Sequence, residues 1–301
     1  MSATLVLVNP SAGGGRAERF WERLRPLAEG IAAFEVASAH SADGSRRAVQ
    51  TAVARGCRRV VAVGGDGTAH LVANVLLECG EGVALGIVPA GTGSDLARAL
   101  RIPRDPVGAV RRALLGPPVP VDAGACEGEH GGFSFVNIAS VGVGGLVDET
   151  VNALPRRGRT AFLRATLAAL RLYRCVPVRV EVDGEAWYDG PLFLLAVANG
   201  TTFGKGMRIA PNARPDDGLF DVVLVEEVAG LELVWRLPQV YLGRHLRARP
   251  VRHRRATQVR VQPHAVLPPF DVDGETYPSG AAVFTVRPGA LHVAGEPTPP
   301  E

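Results

Sequence analysis

Short apolar runs alternate with stretches of helical periodicity over roughly the first 120 residues. The runs TLVLV, AFEVA, RVVAV and ALGIV are typical of buried strands, because each is short and mainly apolar. Each is followed by apolar residues at helical spacing: near Ala17–Ala28, near Ser45–Arg55, in AHLVANVLLE and in SDLARAL. Repeated strand–helix units predict a parallel sheet covered by helices, a Rossmann-like α/β domain.

After PVPVDAG the pattern changes to strand-like runs separated by turn residues. The runs are FSFVNIAS, VRVEVDGEAWY, PLFLLAVANG, LFDVVLVEE, TQVRVQP and AVFTVRP. They predict a mainly antiparallel β-sandwich, interrupted by the helical segments TAFLRATLAALRLY and LELVWRLPQVYLG. We place the domain boundary near Asp122, so that residues 1–122 form the α/β domain and residues 123–301 form the β-rich domain. The last dozen or so residues are a candidate for a return to the first domain.

Three glycine-rich stretches lie where predicted strands of the α/β domain end. NPSAGGG follows the first strand, GGDGT the third and PAGTGSD the fourth. The carboxyl ends of parallel strands meet at one edge of the sheet, and such sheets bind their ligands there. Glycine lets a ligand approach the backbone, and a helix N-terminus offers free N–H groups to a phosphate. One such loop is equally well explained as a tight turn, but three at one edge favour a phosphate-bearing ligand.

Two of these loops carry a carboxylate, Asp66 and Asp95. A carboxylate that faces phosphates repels them unless a divalent cation intervenes, and phosphoryl transfer relies on such cations. Each Asp is also a good helix N-cap, but the two together favour a Mg-nucleotide site. The chain has no Walker P-loop and no protein-kinase HRD or DFG motif. The dinucleotide fingerprint fits only in part, since Glu18 stands at its third glycine position.

Composition narrows the class of protein. The 301 residues are 47% hydrophobic and 21% charged, which is typical of a soluble globular protein of about two domains. The net charge of +3 is too small to indicate nucleic-acid binding by itself. Four cysteines without CxxC spacing predict reduced thiols in a cytoplasmic protein. The apolar runs are too short to span a bilayer, so any membrane contact is expected to be peripheral.

The glycine loops also carry a family resemblance. NPSAGGG, GGDGT and PAGTGSDLARAL resemble the catalytic domain of the diacylglycerol kinase family, whose bacterial soluble members match best and which is related to sphingosine and ceramide kinases. The resemblance continues through VDAG, FVNIASVGVGG, APNARPDDGLFDVVLV and VDGE, and so covers essentially the whole chain. GGDGT alone is shared with NAD kinases, whereas the later motifs are far more specific. The resemblance implies ATP-dependent phosphorylation of a lipid hydroxyl, diacylglycerol being the default, to give phosphatidate.

The resemblance implies ATP contacts in the glycine loops and at a few other positions. These are Asn9, Pro10, Ser11, Ala12 and Gly13, then Gly64, Gly65, Asp66, Gly67, Thr68, Ala69 and His70, and finally His40, Thr92 and Asp95. Three positions depart from the family pattern. His40 replaces a usual Thr, with Ser38 or Ser41 as substitutes, and His70-Leu71 replaces a usual Asn-Glu pair, with His70 able to bond a phosphate. Ser94 replaces a usual Asn and is expected to cap its helix.

The resemblance further implies a bound Mg²⁺ ion in NARPDDGLF. Asp217 would give its carboxylate, and Arg214 and Leu219 would give their backbone carbonyls. Bridging waters would link the ion to Asp66 and Asp95. Mg²⁺ takes few protein oxygens and keeps several waters, which suits this arrangement. From the residues alone, PDDG is better interpreted as an ordinary turn.

DGE occurs twice, and both copies lie between strand-like runs where Asp-Gly favours a type I′ hairpin turn. The residues alone predict the same turn for both copies. The resemblance selects the second copy and implies that Asp273 or Glu275 is the general base for the lipid hydroxyl. The first copy, with Asp183 and Glu185, is expected to be a turn and nothing more.

Two basic stretches are candidates for membrane contact. Arg156, Arg157 and Arg159 precede a predicted amphipathic helix around Phe162–Leu170, which could meet anionic headgroups. The alternative is a helix packed on the sandwich with a solvated basic end. GRHLRARPVRHRR is interpreted as an exposed link between a helix and a strand. Neither stretch has the interleaved aromatic residues of a single-strand nucleic-acid binder, so no nucleic-acid partner is expected.

The leading hypothesis is an ATP- and Mg²⁺-dependent kinase of a lipid substrate, cytoplasmic and peripheral to the inner face of the membrane, with homodimerisation left open. One alternative is a kinase of a soluble polyol or nucleotide, including NAD, built on the same loop. Another is a nucleotide-binding module without catalysis, which the departures at His70 and Ser94 keep open.

Overall fold

The structure is a computed structural model that describes residues 3–79, 82–91, 94–152, 173–228 and 238–295. The chain divides into two compact units. The first comprises Met1–Ala123, Pro215–Asp217 and Arg287–Glu301, and the second comprises Gly124–Arg214 and Gly218–Val286.

The first unit alternates strands and helices. Its strands are β1 (Thr4–Val8), β2 (Glu35–Ser38), β3 (Arg59–Gly64) and β4 (Ala84–Pro89). Its helices are α1 (Ala12–Gly15), α2 (Ala17–Glu29), α3 (Ala42–Ala54), α4 (Asp66–Cys79), α5 (Asp95–Ala99) and α6 (Pro106–Leu115). The four strands are parallel, in the order β4-β3-β1-β2. The prediction of a Rossmann-like α/β domain is therefore confirmed.

The core of this unit is formed by β1, β3 and β4, which were predicted from apolar runs, whereas β2, also predicted as buried, is largely exposed at the edge of the parallel strands. In β3 every residue after Arg59 is buried, as expected for a parallel strand covered on both faces. Trp21 of α2 is 3% exposed and meets Phe34 edge to face, with ring centroids 5.7 Å apart. Helix α6 was not predicted; Asp105 caps it by accepting the Gly108 N–H at 2.6 Å.

The second unit is built mainly from strands. They are β6 (Gly131–Phe135), β7 (Ile138–Gly142), β8 (Val176–Val182), β9 (Glu185–Ala198), β10 (Phe220–Glu226), β11 (Val251–Ala256), β12 (Gln258–Pro263), β13 (Phe270–Val272) and β14 (Glu275–Tyr277). It also holds α7 (Val143–Asn152), a short 3₁₀ helix (His245–Arg247), the end of β5 (Pro118–Gly128) and the start of β15 (Ala282–Ala294).

Strand pairing in the second unit is antiparallel. The order is β14-β13-β7-β9-β8-β12-β15, with β10 between β9 and β11, and β6 on β5. Aromatic rings fill the core between these strands: Phe135 stacks on Phe220 at 5.5 Å, and Phe284 meets Phe270 at 5.9 Å. The prediction of a mainly antiparallel β-rich domain is confirmed.

Several boundaries differ from those predicted. FSFVNIAS is divided between β6 and β7, and β11 was not predicted as a strand. The later residues of β15 pair in parallel with β4, through His292 with Ala84. The helix predicted around Phe162–Leu170, together with Arg156, Arg157 and Arg159, lies outside the described residues. In the part of the chain that the structure describes, no helix has the length and apolar character needed to cross a membrane.

The four cysteines are free. Cys57 and Cys126 are buried and Cys79 is exposed. Burial, together with the neighbouring charge of Glu127, raises the pKa of the Cys126 thiol to about 12. The Cys126 thiol is therefore neutral at physiological pH.

Candidate functional site

A side-chain hydrogen bond joins the first glycine loop to the second. Asn9 Nδ2 donates to Thr68 Oγ1 at 3.0 Å, and the Asn9 backbone N–H donates to the Val63 carbonyl at 3.1 Å. Asn9 Oδ1 also accepts the Ser11 N–H at 3.1 Å, which turns the chain at the end of β1. Asn9 therefore fixes the loop after β1 against the start of α4.

The first loop also adjoins the loop after β4. Gly13, Gly14 and Gly15 all have positive φ angles, of 62°, 72° and 83°. A Cβ atom on Gly13 would lie 2.6 Å from the Ala90 carbonyl oxygen. Glycine is required at Gly13 both by its backbone conformation and by the closeness of Ala90.

The second and third loops touch through their backbones. The Ala90 N–H donates to the Gly64 carbonyl at 2.7 Å, and a Cβ on Gly91 would lie 2.6 Å from the Gly65 Cα. The structure thus brings all three glycine loops together at the carboxyl ends of β1, β3 and β4. Neighbouring backbone amides with little side chain over them are suited to binding an anion.

Asp66 and Asp95 lie side by side at this edge. Asp66 Oδ2 accepts the backbone N–H of Asp95 and Asp66 Oδ1 accepts that of Leu96, both at 3.1 Å. Asp66 therefore caps the N-terminus of α5 from a different loop. Asp95 is 7% exposed and its carboxylate accepts a hydrogen bond from Arg98.

The expectation that Ser94 caps α5 is wrong. Ser94 has a left-handed backbone, with φ 60°, and its side chain makes no capping hydrogen bond. An N-cap side chain normally requires an extended backbone at that residue, which Ser94 lacks. The Asp66 carboxylate supplies the cap instead.

His40 and Ser41 follow the end of β2. His40 is exposed. Ser41 caps α3, since its Oγ accepts the Gly44 N–H at 3.1 Å, and this use competes with a contact to ATP. Thr92 lies outside the described residues.

His70 is buried in α4, with 5% of its surface exposed. Its ring Nε2 lies 3.1 Å from Asn74 Nδ2, and the same amide donates to the His70 carbonyl at 3.0 Å. The substitution at this position thus places an imidazole in the packed interior, next to Asn74.

Asp122 joins three stretches of the first unit, a role that sequence analysis did not assign. Its backbone N–H donates to the Pro215 carbonyl at 2.7 Å, and its Oδ1 accepts the Gly289 N–H at 2.8 Å. Asp122 is only 2% exposed. The only sequence signal was its place in VDAG, which is not enough to predict partners so distant in the chain.

Asp217 belongs to the same compact unit as Asp66 and Asp95. It lies in a turn, and the next residue, Gly218, has φ 73°. A carboxylate at Asp217 with carbonyl oxygens at Arg214 and Leu219 is an all-oxygen donor set, which fits Mg²⁺ chemistry. Among the described residues, no group of three His, Cys, Asp or Glu side chains could hold a metal. The Mg²⁺ site implied here would use one carboxylate and two backbone carbonyls, so it does not require such a group of side chains.

The two DGE turns have the same backbone conformation. Asp183 and Gly184 have φ angles of 50° and 81°, and Asp273 and Gly274 have φ angles of 52° and 90°. Positive φ at both central residues is the signature of a type I′ turn, as predicted for both copies.

Both aspartates also fasten a neighbouring segment. Asp273 Oδ2 accepts the Val136 N–H at 2.9 Å, and its Oδ1 accepts those of Asn137 at 3.0 Å and Ile138 at 2.8 Å. Asp183 Oδ1 accepts the Thr257 N–H at 3.0 Å and hydroxyl at 2.8 Å. Each of these two carboxylates therefore holds a neighbouring segment next to its own turn.

A third bond to Asp183 comes from the Gln258 N–H at 2.9 Å. Burial raises the pKa of Asp183, but the hydrogen bonds from Thr257 and Gln258 outweigh burial and lower this pKa below its ordinary value. Hydrogen bonds to a carboxylate favour its charged form.

The glutamates of the two DGE turns, Glu185 and Glu275, differ in their ionic partners. Glu185 pairs with Arg254 at 2.6 Å. Glu275 is exposed and has no ionic partner among the residues that the structure describes.

Asp271 precedes the second turn and is 7% exposed; it accepts the Gly274 N–H at 3.0 Å and the Ser140 hydroxyl at 3.2 Å. A role for Asp271 was not predicted from the sequence.

Asn137, beside Asp273, is a second polar residue that sequence analysis did not assign. It is 4% exposed, and its Nδ2 donates to the Thr202 carbonyl at 2.9 Å. Its Oδ1 has no hydrogen-bond donor among the described residues. A buried acceptor without a donor costs stability, and such atoms in native proteins often have a water or ligand partner.

Two family models together match most of the chain. A model described as the diacylglycerol kinase catalytic domain matches residues 3–126. A model described as the YegS C-terminal NAD kinase beta sandwich-like domain matches residues 137–295.

Individual proteins agree with these models. A diacylglycerol kinase of Mycobacterium tuberculosis is 30% identical over 295 residues, which is 96% of this chain and 93% of that protein. A diacylglycerol kinase of Bacillus subtilis is 28% identical over 288 residues, covering 91% of this chain and 90% of that one. A crystal structure of a diacylglycerol kinase from Bacillus anthracis has the same fold, with TM-score 0.74, 20% identity and coverage of 98% and 97%. The chain therefore belongs to the diacylglycerol kinase family of ATP-dependent lipid kinases.

Proposed function

We propose that the chain transfers the γ-phosphate of ATP to the hydroxyl group of a diacylglycerol-like lipid, giving phosphatidate. The observation that carries this proposal is the meeting of three glycine loops, joined through Asn9 with Thr68 and through Ala90 with Gly64. Their amides and the N-termini of the following helices suit a polyphosphate. Relatives named diacylglycerol kinase over nearly their full length support the choice of acceptor.

The two parts of the chain have different roles in this proposal. Residues 1–122 are the nucleotide-binding domain, and residues 123–301 are the lipid-binding domain. ATP lies against Asn9–Gly13 and Gly64–His70, with His40, Thr92 and Asp95 as further contacts. Because Ser41 is used as the cap of α3, His40 is the better candidate contact after β2.

Asp217, with the carbonyls of Arg214 and Leu219, would hold Mg²⁺, and bridging waters would connect it to Asp66 and Asp95. When bound, the ion neutralises charge on the phosphates. The chain's own residues do the positioning. Asp66 accepts the amides of Asp95 and Leu96 and so holds the first turn of α5 beside the start of α4 before ATP binds.

Asp273 or Glu275 is the general base. It takes the proton of the lipid hydroxyl as that oxygen attacks the γ-phosphorus, and the bond to the bridging oxygen of ADP breaks. Asp273 already accepts three backbone N–H groups, so part of its hydrogen-bonding capacity serves the structure. Glu275 is exposed and has carboxylate oxygens open to solvent.

The lipid substrate requires the protein to work at a membrane surface. We propose a cytoplasmic protein that binds the inner face of the membrane peripherally.

The test is transfer of label from γ-labelled ATP. Mixed micelles of diacylglycerol are compared with ceramide, with soluble polyols and with NAD, each with and without Mg²⁺. Label that enters the organic phase only with diacylglycerol supports the proposal. Label transferred to NAD or a polyol instead would overturn the lipid acceptor, and nucleotide binding without transfer to any acceptor would overturn catalysis.

A further inference from the structure

A stretch of the second unit is rich in arginine and has no acidic residue of its own. Residues 233–270 contain eight arginines and neither Asp nor Glu. The arginines of the strands find partners elsewhere: Arg252 pairs with Glu226 at 2.5 Å, and Arg254 pairs with Glu185 at 2.6 Å. The three arginines described between residue 238 and β11 are different.

Arg244, Arg247 and Arg249 are all exposed, and none has an ionic partner among the described residues. A fourth arginine, Arg208, adjoins them. It is exposed, and its Cζ lies 3.7 Å from the position of a Cβ on Gly243. The structure thus places four exposed arginines close to one another, and none of the four forms an ion pair with a described carboxylate.

Two large apolar side chains are exposed in the same place. Tyr241 is 44% exposed and Leu242 is 59% exposed. They are adjacent in the chain and immediately precede Gly243. We call this surface the basic–apolar patch; it consists of Arg208, Tyr241, Leu242, Arg244, Arg247 and Arg249.

The patch rests on the apolar core of the second unit. Val240, Leu246 and Val251 alternate with the exposed residues and pack against that core. His245 is 3% exposed, and its Nε2 lies 2.9 Å from the Ile209 carbonyl. The exposure of Tyr241 and Leu242 is therefore a property of an anchored segment and not of a loose loop.

The backbone around Gly243 adds to this anchoring. The Gly243 N–H donates to the Val240 carbonyl at 3.0 Å, and the Arg244 N–H donates to the Gln239 carbonyl at 2.9 Å. Gly243 has φ 68°, which glycine adopts without strain. Since the segment is already ordered, it loses little conformational freedom when it binds a partner.

We propose that the basic–apolar patch docks on an anionic lipid surface, with the arginines on the headgroups and Tyr241 and Leu242 at the boundary with the acyl chains. This inference rests on the proposed function, because a lipid kinase must reach its substrate in a bilayer. Unpaired arginines complement anionic headgroups, and an exposed Tyr–Leu pair beside them fits the interface. A single aromatic ring gives no platform on which successive nucleic-acid bases could stack.

The expected loss of vesicle binding follows from typical energies of membrane association per residue. An Arg near an anionic membrane surface strengthens binding by about fivefold. Replacing Arg244, Arg247 and Arg249 together by Ala is thus expected to weaken binding about 100-fold. Replacing Tyr241 and Leu242 by Ser is expected to weaken it about tenfold, from the apolar area withheld from the bilayer. The loss from the arginines shrinks at high salt, because salt screens exposed charges.

The experiment is sedimentation of the full chain with vesicles of phosphatidylcholine alone or with phosphatidylglycerol. The matched control is Arg55→Ala, Arg58→Ala and Arg111→Ala, which removes the same charge from exposed arginines of the first unit that have no ionic partner among the described residues. We expect wild type and control to bind anionic vesicles equally, and the patch variant to lose binding. Equal binding by all three proteins would overturn the inference, and so would equal loss in patch variant and control. Binding of wild type to a polyanion such as RNA, with no binding to vesicles, would also overturn it.

A second measurement separates this inference from the proposed function. Each protein is assayed with diacylglycerol in anionic vesicles and with a short-chain diacylglycerol in detergent micelles. The patch variant should lose turnover on vesicles and keep wild-type turnover in micelles, because docking is not needed there. A wild type that phosphorylates neither substrate contradicts the proposed function, whereas a patch variant that is fully active on both contradicts the docking surface alone.

Discussion

The carboxylate of Asp66 accepts the backbone N–H of Asp95 at 3.1 Å, so that a residue at the start of α4 caps the start of α5. The Leu96 N–H completes the cap at the same distance. These two amides are used by Asp66 and are not open to a phosphate, but the cap fixes the start of α5 beside the start of α4, at the edge where the glycine loops meet. Asp66 therefore acts on the candidate site through structure as well as through charge.

Replacing Asp66 by Asn keeps the size of the side chain and one acceptor oxygen but removes the charge. We expect kcat to fall at least about 100-fold, by analogy with the loss of one electrostatic contact in other enzymes. Stability should fall by about 1 kcal/mol, because one capping bond is lost. The measurements are steady-state kinetics and urea denaturation.

The matched control is Asp105→Asn, since Asp105 caps α6 through the Gly108 N–H and lies in no glycine loop. It should keep its turnover and most of its stability, because Asn Oδ1 can still accept the single N–H that this cap uses. A folded Asp66→Asn variant with wild-type turnover would show that the charge of Asp66 has no role in transfer.

The contrast between Asp66 and Ser94 shows what the sequence could and could not predict. Strands β1, β3 and β4 were predictable because their burial leaves continuous apolar runs. The cap of α5 was not, because local rules assign it to Ser94 and the actual donor–acceptor pair is 29 residues apart. Strand β11 was missed because its outward residues are charged and its partners, such as Glu226 for Arg252, lie on another strand.

The hydrogen bonds accepted by Asp183 and Asp273 could not be predicted from the sequence either, because their donors are distant in the chain. A type I′ turn follows from Asp-Gly itself, and both turns formed as predicted. The hydrogen bond that the Asn137 N–H donates to Asp273, 136 residues away, depends on the antiparallel pairing of β13 with β7. No pattern within either segment carries that information.

The Asp217→Ala variant tests whether the folded protein binds Mg²⁺ at Asp217. If Asp217 holds Mg²⁺ in the folded protein only, Mg²⁺ stabilises the wild type by mass action. We expect the Tm of the wild type to rise with Mg²⁺ and that of the variant to be insensitive to it, as measured by differential scanning calorimetry. Asp43→Ala, at an exposed position in α3, is the control and should respond like the wild type. A wild-type Tm indifferent to Mg²⁺ would rule out the metal at this site.

His245 should make the protein less stable in mild acid. Burial lowers the pKa of His245 below 6.5, and the charge of His253 adds to this, while the hydrogen bond to Ile209 opposes it. Below about pH 6.5 the unfolded chain takes up this proton more readily than the folded one, so the free energy of unfolding falls as pH falls. The loss ends below the pKa of the folded state.

His245→Gln keeps a donor for the Ile209 carbonyl but does not titrate. Its free energy of unfolding, from urea denaturation between pH 5 and 8 (about the range over which His titrates), should depend less on pH than that of the wild type. His130→Gln changes an exposed histidine and should leave the wild-type dependence intact. If both variants keep the wild-type slope, His245 is not the titrating group.

The first DGE turn is an internal control for a general base in the second, because the two turns have the same backbone conformation. Asp183 and Asp273 share a left-handed backbone, and each accepts three hydrogen bonds that fasten a neighbouring segment. Asp183→Asn keeps Oδ1, which accepts all three of its bonds, whereas Asp273→Asn replaces Oδ2, the acceptor of the Val136 N–H, by an amide. Asp273→Asn is therefore expected to cost more stability, and urea denaturation must show that it is folded before its turnover is compared with that of Asp183→Asn. A positioned carboxylate base typically contributes about 10²–10⁴-fold to the rate, and only if it lies within hydrogen-bond reach of the hydroxyl.

We expect Asp273→Asn or Glu275→Gln to lose about two orders of magnitude in kcat under saturating ATP, with little change in ATP binding. Asp183→Asn and Glu185→Gln should stay near wild type, although Glu185→Gln also weakens the pair with Arg254. If Glu275→Gln alone is impaired, the exposed carboxylate is the base and Asp273 serves the structure. If the two pairs of variants behave alike, the assignment of the base has no support beyond a shared turn.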